Sequence, residues 1–215
     1  FALPHTLAFA FFPQWLLELR QTFPQLKTRL IALNVHDAVL RLTEGHCDLL
    51  LAYDHPSQPL QLSPDRYEML TLGQETLAPF ARADSEGRPI WRLPGSASSR
   101  LPFLSYASGA YMARLVEHIV KSAPQPAYLN LVYETDMAES LKAMALEGHG
   151  LAFLPASSVR KDLRARRLAP AGDAGAWELA MDVRIVRERP GSGRLVKPGA
   201  AALWDHLEQQ ASPRR

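Results

Sequence analysis

The sequence predicts an α/β protein that is built as two similar lobes. Residues 1–53 show the order strand, helix, strand, helix, strand, which is the start of a parallel α/β layer. A second pattern of strands and helices begins at Phe103, so the arrangement occurs twice along the chain. Two uninterrupted apolar runs, at residues 49–52 and 151–154, are typical of strands that are covered on both faces of a parallel sheet.

The elements of the first lobe are predicted from periodicity and from residues that begin or end helices. Thr6 is in position to cap the first helix, and Pro13 predicts that this helix starts or kinks there. Asn34, with Asp37 three residues later, predicts the capped start of a second helix, which Gly45 ends. The predicted strands and helices cover residues 1–3, 7–22, 26–33, 35–44 and 48–53.

The centre of the chain is predicted to be extended and rich in turns. Residues 54–65 contain three prolines and predict a loop, and the glycines, prolines and serines of residues 82–100 predict a second connection. Residues 67–72 and 75–80, between them, are predicted to be extended. The rest of the chain is predicted to form strands at residues 103–104, 128–133, 151–154 and 177–186 and helices at residues 109–121, 136–147 and 198–210.

Charge and cysteine content narrow the class of protein. The chain has 24 Lys and Arg against 22 Asp and Glu, and this balance does not favour a nucleic-acid-binding surface. Its single cysteine, Cys47, excludes an intramolecular disulfide and fits a reducing, cytoplasmic compartment. Residues 1–12 are apolar but contain Pro4 and lack a basic segment, so neither a signal peptide nor a membrane span is expected. Because the chain begins without Met and directly in a strand, we expect a fragment of a longer protein.

Motifs of catalysis, metal binding and cofactor binding do not occur in the sequence. The seven histidines show no zinc-binding spacing, and neither a Gly-x-Ser-x-Gly elbow nor a phosphate-binding glycine loop is present. His46, Cys47 and Asp48 would point to alternating faces of a strand, so we expect Cys47 to be a small core residue and not a metal ligand. The basic run at residues 160–167 predicts a solvated helix face, with contact to an anionic partner as the alternative. We therefore predict no catalytic residue, no metal site and no cofactor.

Ligands of open α/β folds bind beyond the carboxyl ends of the strands, where helices begin. Three such places are predicted: after the first strand, before the helix at Gly109, and before the helix that follows the next strand. The candidate binding residues at these places are His5, Thr6, Ser105, Tyr106, Ser108, Glu134, Thr135 and Asp136. The alternative for Thr6 and Asp136 is that each only caps a helix.

The charges at these places indicate which ligands fit. Helix N-termini favour anions. Glu134 and Asp136, however, place two acids at one edge of the predicted site and oppose that field unless Arg114 neutralises one of them. The sequence therefore predicts a neutral, zwitterionic or cationic small molecule in preference to a dianion.

Three motifs occur in a fixed order along the chain. They are Phe12-Pro13-x-x-Leu16-Leu17 with Phe23-Pro24-x-Leu26, then Leu42-x-x-Gly45-x-x-Asp48-Leu49, and finally Gly148-x-Gly150-Leu151-Ala152-x-Leu154-Pro155. Their order and spacing cover most of the chain, and in combination they resemble the bacterial LysR-type transcriptional regulators. In one place the chain departs from that family, because residues 88–91 read Arg-Pro-Ile-Trp where the family often shows His-Pro-Leu-Ala.

The resemblance implies two Rossmann-like lobes joined by two extended crossovers, an architecture shared with type II periplasmic binding proteins. Lobe one would comprise residues 1–73 and 186–215, and lobe two residues 74–185. It also implies an effector cleft between the lobes, lined by the candidate residues, and a preceding winged helix-turn-helix through which alone the protein contacts DNA. Two alternatives are a periplasmic solute-binding protein and an enzyme on the same scaffold.

Self-association is a further implication of the resemblance. The first helix carries Phe9, Phe11, Phe12 and Trp15, and one helix face covers only part of that set, so some of these rings are expected to be exposed. In the family this helix packs on the second-lobe helix of a partner, here residues 111–120, in a homodimer or homotetramer. Replacement of Trp15 by Glu is therefore expected to give monomers.

Residues 108–115 resemble a hypochlorite-responsive subgroup of these regulators, in which oxidation of methionine is the proposed signal. Met112 and Met137 lie near the starts of two predicted helices and are the candidate redox-sensing residues, whereas Met144 is expected in the core. Oxidation would convert a flexible apolar side chain into a polar one and disturb packing. The alternative is that all five methionines only fill gaps in the core.

Overall fold

The computed structural model describes residues 1–191 and 195–211, which form two compact units. The first unit comprises Phe1–Gln74 and the segment that begins at Asp182, and the second comprises Glu75–Met181. In chain order the elements are β1 (Ala2–Pro4), α1 (His5–Ala10), α2 (Phe12–Thr22), β2 (Ile31–Leu33), α3 (Val35–Thr43), β3 (Leu50–Asp54), β4 (Tyr67–Arg82), β5 (Leu101–Tyr106), α4 (Tyr111–Ser122), β6 (Leu129–Thr135), α5 (Ala138–Leu146), β7 (Leu151–Pro155), α6 (Ala156–Arg164), β8 (Leu168–Pro170), β9 (Leu179–Glu188) and α7 (Pro198–Ala211). β4 and β9 each belong partly to both units.

The sheet of the first unit has the strand order β2-β1-β3-β9. β1 is parallel to both of its neighbours, and Ala2 lies opposite Ile31 on one side and Leu50 on the other. β9 closes the sheet antiparallel to β3, where Leu50 pairs with Val186. The first four residues of β3 are fully buried, which confirms the prediction made from this apolar run.

The aromatic segment after β1 forms two helices where the sequence predicted one. Pro13 lies in the first turn of α2, where a missing backbone N–H breaks no hydrogen bond. Thr6 is not an N-cap, because α1 already begins at His5 and Pro4 occupies the cap position. Trp15 is buried within its own unit against Phe1 and Phe12, so its replacement by Glu would disrupt folding and is a poor test of self-association. Phe9, by contrast, is 66% exposed.

The N-cap and the end of α3 are formed by the residues that the sequence predicts. The backbone N–H of Asp37 donates to Oδ1 of Asn34 at 2.9 Å, and Nδ2 of Asn34 donates to the carboxylate of Asp37 at 2.8 Å. Gly45 follows the helix with a φ of 78°, a conformation that glycine adopts without strain. The preceding strand is shorter than predicted. β2 covers only Ile31–Leu33, because β1 offers just three residues for pairing.

The second unit contains the strands β4-β7-β5-β6 in that order, with β8 paired to β4. β5 is parallel to both β6 and β7, whereas β4 is antiparallel to β7 and β8. The two extended segments predicted around Gly73 are one continuous strand, β4. The sequence does not predict the three-residue strand β8.

The glycines before β7 have a steric role. A Cβ at Gly150 would lie 2.6 Å from the carbonyl oxygen of Pro102, so only glycine fits this close approach to β5.

The carbonyl groups at the end of α5 accept hydrogen bonds from two side chains. Arg82 donates to the carbonyl of Glu147 at 3.3 Å, and Nε1 of Trp91 donates to the carbonyl of Gly148 at 3.5 Å. The departure from the family pattern at residues 88–91 thus places an indole on the end of this helix.

The end of the chain follows the prediction closely. The strand predicted over residues 177–186 is observed as β9, two residues further along. α7 buries three residues that the sequence assigned to its inner face, namely Leu203, Trp204 and Leu207. The guanidinium of Arg187 lies 4.4 Å from the ring centroid of Trp204, a cation–π contact within the first unit.

Candidate functional site

Four of the candidate residues are brought together at the carboxyl ends of β5 and β6. Ser105 lies opposite Glu134, and Tyr106 lies opposite Thr135, in the parallel pairing of the two strands. A backbone hydrogen bond of 2.8 Å from Ala107 to the carbonyl of Thr135 continues this pairing past the end of β5. The second unit therefore presents one edge at which both strands end.

The side chains at this edge divide into exposed and internally bonded groups. Ser108, Glu134 and Asp136 are exposed. The hydroxyl of Ser105 donates to the carbonyl of Tyr106 at 3.0 Å, and that of Thr135 accepts from a backbone N–H at 3.3 Å. The three exposed residues thus offer their polar side chains to solvent, whereas the hydroxyls of Ser105 and Thr135 are engaged in internal hydrogen bonds.

Tyr106 is the most buried of the candidate residues in the second unit. Its side chain is 3% exposed, and within the described part of the chain its hydroxyl has no hydrogen-bond partner. Burial strongly raises the pKa of this phenol, and the nearby carboxylate of Glu139 raises it further. The hydroxyl therefore stays neutral and faces the interior of the second unit.

Ser108 and Asp136 do not cap the helices that follow them. An N-cap residue stands directly before the first helical residue. That position is taken by Ala110 in α4 and by Met137 in α5, neither with a side-chain cap. At the start of α5, the N–H of Met137 instead donates to Thr135. The alternative by which Asp136 only caps a helix is therefore wrong.

Arg114 does not neutralise the acids of this edge. Its guanidinium donates to the carbonyl of Gly109 at 3.0 Å. Throughout the part of the chain that the structure describes, no ion pair within 4.0 Å joins it to Glu134 or Asp136. The edge therefore carries two exposed carboxylates that Arg114 does not pair with.

The N-terminus of α6 is filled by a carboxylate from the same unit. Glu75, at the start of the unit, is buried and accepts hydrogen bonds from the backbone N–H of Ser157 at 3.2 Å and from its hydroxyl. A helix N-terminus favours an anion, and here the chain supplies its own. The sequence does not reveal this contact, because the two residues are far apart in the chain and no spacing rule links them.

Three further polar contacts brace α5. The hydroxyls of Tyr133 and Ser140 lie 2.9 Å apart. Lys142 pairs with Glu139 at 2.5 Å and donates to the carbonyl of Ser158 at 3.2 Å. These contacts tie α5 to β6 and α6, and so hold the backbone from which Thr135 and Asp136 project.

In the first unit, His5 and Thr6 occupy the first positions of α1, directly after β1. The imidazole of His5 is partly exposed, whereas Thr6 is buried. His5 is therefore the residue of this pair that a ligand reaches without rearrangement of the helix.

The candidate redox-sensing residues differ in access to solvent. Met137 is 39% exposed, whereas Met112 is buried on the inner face of α4. Met144 is only partly buried, so the prediction that it lies in the core is wrong. An oxidant in solution reaches Met137 first.

Cys47 is a buried core residue, as predicted, and packs among Ala38, Leu42 and Leu50. Among residues 1–191 and 195–211, no group of three or more His, Cys, Asp or Glu side chains is arranged to hold a metal ion. Over the same residues, none of the helices combines the length and the apolar character that a membrane crossing requires.

Comparison with known proteins identifies the relatives of the chain. The family model of the LysR substrate binding domain matches residues 1–212. The HTH-type transcriptional regulator YjiE of Escherichia coli K12 is 27% identical over 178 residues, which are 83% of this chain and 54% of YjiE. The chain therefore spans about half the length of that curated relative.

Solved structures give the same picture of the fold. The regulatory domain of HypT from Salmonella typhimurium, in its apo form, superimposes with a TM-score of 0.76 at 23% identity, covering 98% of this chain and 93% of that one. DarR of Vibrio fischeri, solved in complex with DNA, gives a TM-score of 0.75 at 28% identity, covering 96% of this chain and 65% of DarR. The two-unit α/β fold is thus that of LysR regulatory domains.

Proposed function

Because the chain belongs to the LysR substrate binding domain family, we propose that it is the effector-sensing part of a LysR-type transcription factor. The main support for this function is the match of the family model to residues 1–212. It favours a regulator over the periplasmic solute-binding protein that the fold alone allows. The proposed role is binding without turnover, so no side chain is assigned a catalytic part.

The proposal extends to the protein that contains this chain. DNA would be contacted only through an N-terminal helix-turn-helix, and the protein would act in the cytoplasm as a homodimer or homotetramer whose geometry changes when the effector binds. DarR in its DNA complex and the regulator YjiE support this analogy. The test is DNA binding by the longer protein with and without the effector. A protein that binds DNA identically in both states contradicts the proposal.

The charge at the ends of β5 and β6 supports a particular class of effector. Glu134 and Asp136 are exposed acids that Arg114 does not neutralise, so a dianion would be repelled there. A cationic, zwitterionic or neutral small molecule with a hydrogen-bonding group fits this edge and Ser108. That His5 and Thr6 of the first unit contact the same molecule, in a cleft between the lobes, remains a prediction.

A binding screen with matched ligands tests this preference. The chain is titrated calorimetrically with primary amines, amino acids and dicarboxylates of equal carbon number. We expect binding from the first two classes, and we expect Glu134→Gln with Asp136→Asn to weaken a cationic ligand at least tenfold, about 1.4 kcal/mol. Glu117→Gln, on the outer face of α4 and paired with Lys121, is the matched control and should change nothing. A dicarboxylate that binds more tightly than its amine counterpart contradicts the charge argument.

Oxidant sensing is the second candidate, and the exposure of Met137 at the start of α5 is the observation that favours it. A sulfoxide there would place a polar group beside Thr135 and disturb the first turn of the helix. After treatment with stoichiometric hypochlorite, peptide mass spectrometry should show Met137 oxidised well before the buried Met112 and Met181. If the oxidant response of the longer protein survives Met137→Ile, this residue is not the sensor.

A further inference from the structure

A cavity of about 550 Å³ lies within the first unit, at the amino ends of its parallel strands. Phe1, Ile31 and Leu49 line it, and they stand at or immediately before the starts of β1, β2 and β3. His5 and Thr6 follow the opposite, carboxyl end of β1. The cavity is therefore separate from the predicted effector-binding residues of this unit.

Positive charge surrounds the cavity. Lys27, Arg29 and Arg41 line it and are exposed, and over the described residues none of the three has a carboxylate within 4.0 Å. The lining also contains one acid, Asp48, whose carboxylate is already held by Lys197 at 2.8 Å. Among the described residues that line the cavity, cationic side chains therefore outnumber acidic ones.

The rest of the lining, apart from Thr28, His46 and Lys197, is apolar. This apolar part is formed mainly by side chains from the segment before β2, from β2 itself, from the residue before β3 and from α7, namely Leu26, Ile31, Leu49 and Leu203. The volume lies within the range of small-molecule sites, which combine apolar walls with a few polar or charged groups. The cavity is large enough for an apolar molecule, and its cationic side chains can bind one acidic group of that molecule.

We propose that this cavity binds an amphipathic monoanion, a carboxylate or sulfonate carried on an apolar body. The apolar body would contact Leu26, Leu49 and Leu203, and the acidic group would meet Lys27, Arg29 and Arg41. A carboxylate or sulfonate suits the guanidinium of arginine, which donates two parallel hydrogen bonds to two oxygens of such a group. The site does not depend on the effector proposed above, because it lies at the opposite end of the strands and prefers the opposite charge.

A fluorescent amphipathic anion tests the site directly. The 215-residue chain is titrated with anilinonaphthalene sulfonate, and the bound dye is then displaced with octanoate or with octanol, which has a similar body without the charge. We expect saturable binding of one dye, displacement by octanoate, much weaker displacement by octanol, and weaker binding at high ionic strength. Equal displacement by octanol would show adventitious apolar binding and overturn the proposal.

Paired variants assign the binding to this cavity. Lys27→Gln with Arg41→Gln should weaken the dye at least tenfold, whereas Arg20→Gln with Arg164→Gln removes the same charge from exposed positions elsewhere and should leave it unchanged. Ala200→Phe, which adds a ring at the cavity wall, should abolish binding while circular dichroism confirms that the chain is folded. Equal affinity in all of these variants would overturn the proposal. Glu134→Gln should have no effect here, so this result stands or fails separately from the effector screen.

Discussion

Glu75 holds Ser157 at the first turn of α6 by two hydrogen bonds, one from the backbone N–H at 3.2 Å and one from the hydroxyl. The carboxylate is buried, and it meets a helix end whose first N–H groups have no partner inside the helix. This contact fixes the start of α6 against the strand that opens the second unit. It also leaves no room at that helix end for a ligand anion.

Removal of this carboxylate should therefore destabilise the second unit. We expect Glu75→Ala to lower the free energy of unfolding by about 2 kcal/mol, because the N–H and hydroxyl of Ser157 lose their acceptor. Urea denaturation followed by circular dichroism measures the change. Glu86→Ala, which removes an exposed carboxylate paired with the exposed Arg88, is the control and should cost far less. Equal losses in the two variants would contradict the capping role.

Loss of the hydroxyl should change the stability of the chain differently at two tyrosines of the second unit. Tyr133→Phe breaks the hydrogen bond to Ser140 and should cost about 1 kcal/mol. Tyr106→Phe removes a buried hydroxyl with no partner among the described residues, so the stability should be unchanged or higher. Thermal unfolding of both variants at neutral pH measures these changes in stability. A large loss of stability in Tyr106→Phe would show that its hydroxyl is hydrogen-bonded in solution.

Tyr106 also predicts how stability depends on pH. Burial raises its pKa in the folded chain, whereas in the unfolded chain the phenol ionises near pH 10.0. The folded state then binds more protons than the unfolded state above that pH, so the contribution of Tyr106 is constant below pH 10 and stability falls as the pH rises beyond it. Denaturation midpoints at pH 9 and pH 11 should diverge less in Tyr106→Phe than in the parent chain. A parallel fall in both would assign the effect to other groups.

The tight approach of β7 to β5 predicts a steric requirement at Gly150. Gly150→Ala would place a methyl group 2.6 Å from the carbonyl oxygen of Pro102, and because this oxygen belongs to the backbone of β5, the strands must move. We expect a loss of about 2 kcal/mol or more in urea denaturation. Gly199→Ala, whose methyl group would meet nothing within 4 Å, is the matched control. A Gly150→Ala variant as stable as the control would show that the strands yield easily.

Self-association is best tested at exposed residues of the first two helices. Phe9 and Leu17 are 66% and 59% exposed, whereas Trp15 is buried inside the unit. If these helices pack on a partner, Phe9→Glu with Leu17→Glu should give monomers by sedimentation without lowering the melting temperature. Leu195→Glu, at a residue that is 95% exposed elsewhere, is the control for surface charge. An unchanged oligomer in the double variant would place the interface elsewhere.

The sequence predicts those features of the fold that depend on residues close together in the chain, such as helix ends and buried strands. Asn34 caps α3 because its partner Asp37 is three residues away, and Gly45 ends that helix through its own backbone conformation. The buried runs of β3 and β7 are likewise visible as uninterrupted apolar residues. Thr6 fails as a cap because the helix begins one residue before it.

The sequence predicts where the candidate site lies, but it does not predict which of its side chains are buried or what they contact. The ends of β5 and β6 follow from the pattern of elements, and the pairing of Ser105 with Glu134 places those residues together. The burial of Tyr106 depends on which face of β5 the helices cover, and the contact of Glu75 with Ser157 depends on tertiary packing. Neither is encoded in a spacing along the chain.

The pairing of Leu50 with Val186 makes the order of synthesis important. A chain that emerges from the ribosome N-terminus first completes the second unit, which ends at Met181, before the later residues of β9, Asp182–Val186, become available to close the sheet of the first. Until then β3 has an open edge, and open edges pair with other chains. A chain that stops at Met181 would therefore retain every residue of the second unit and expose the apolar residues of β3 to aggregation.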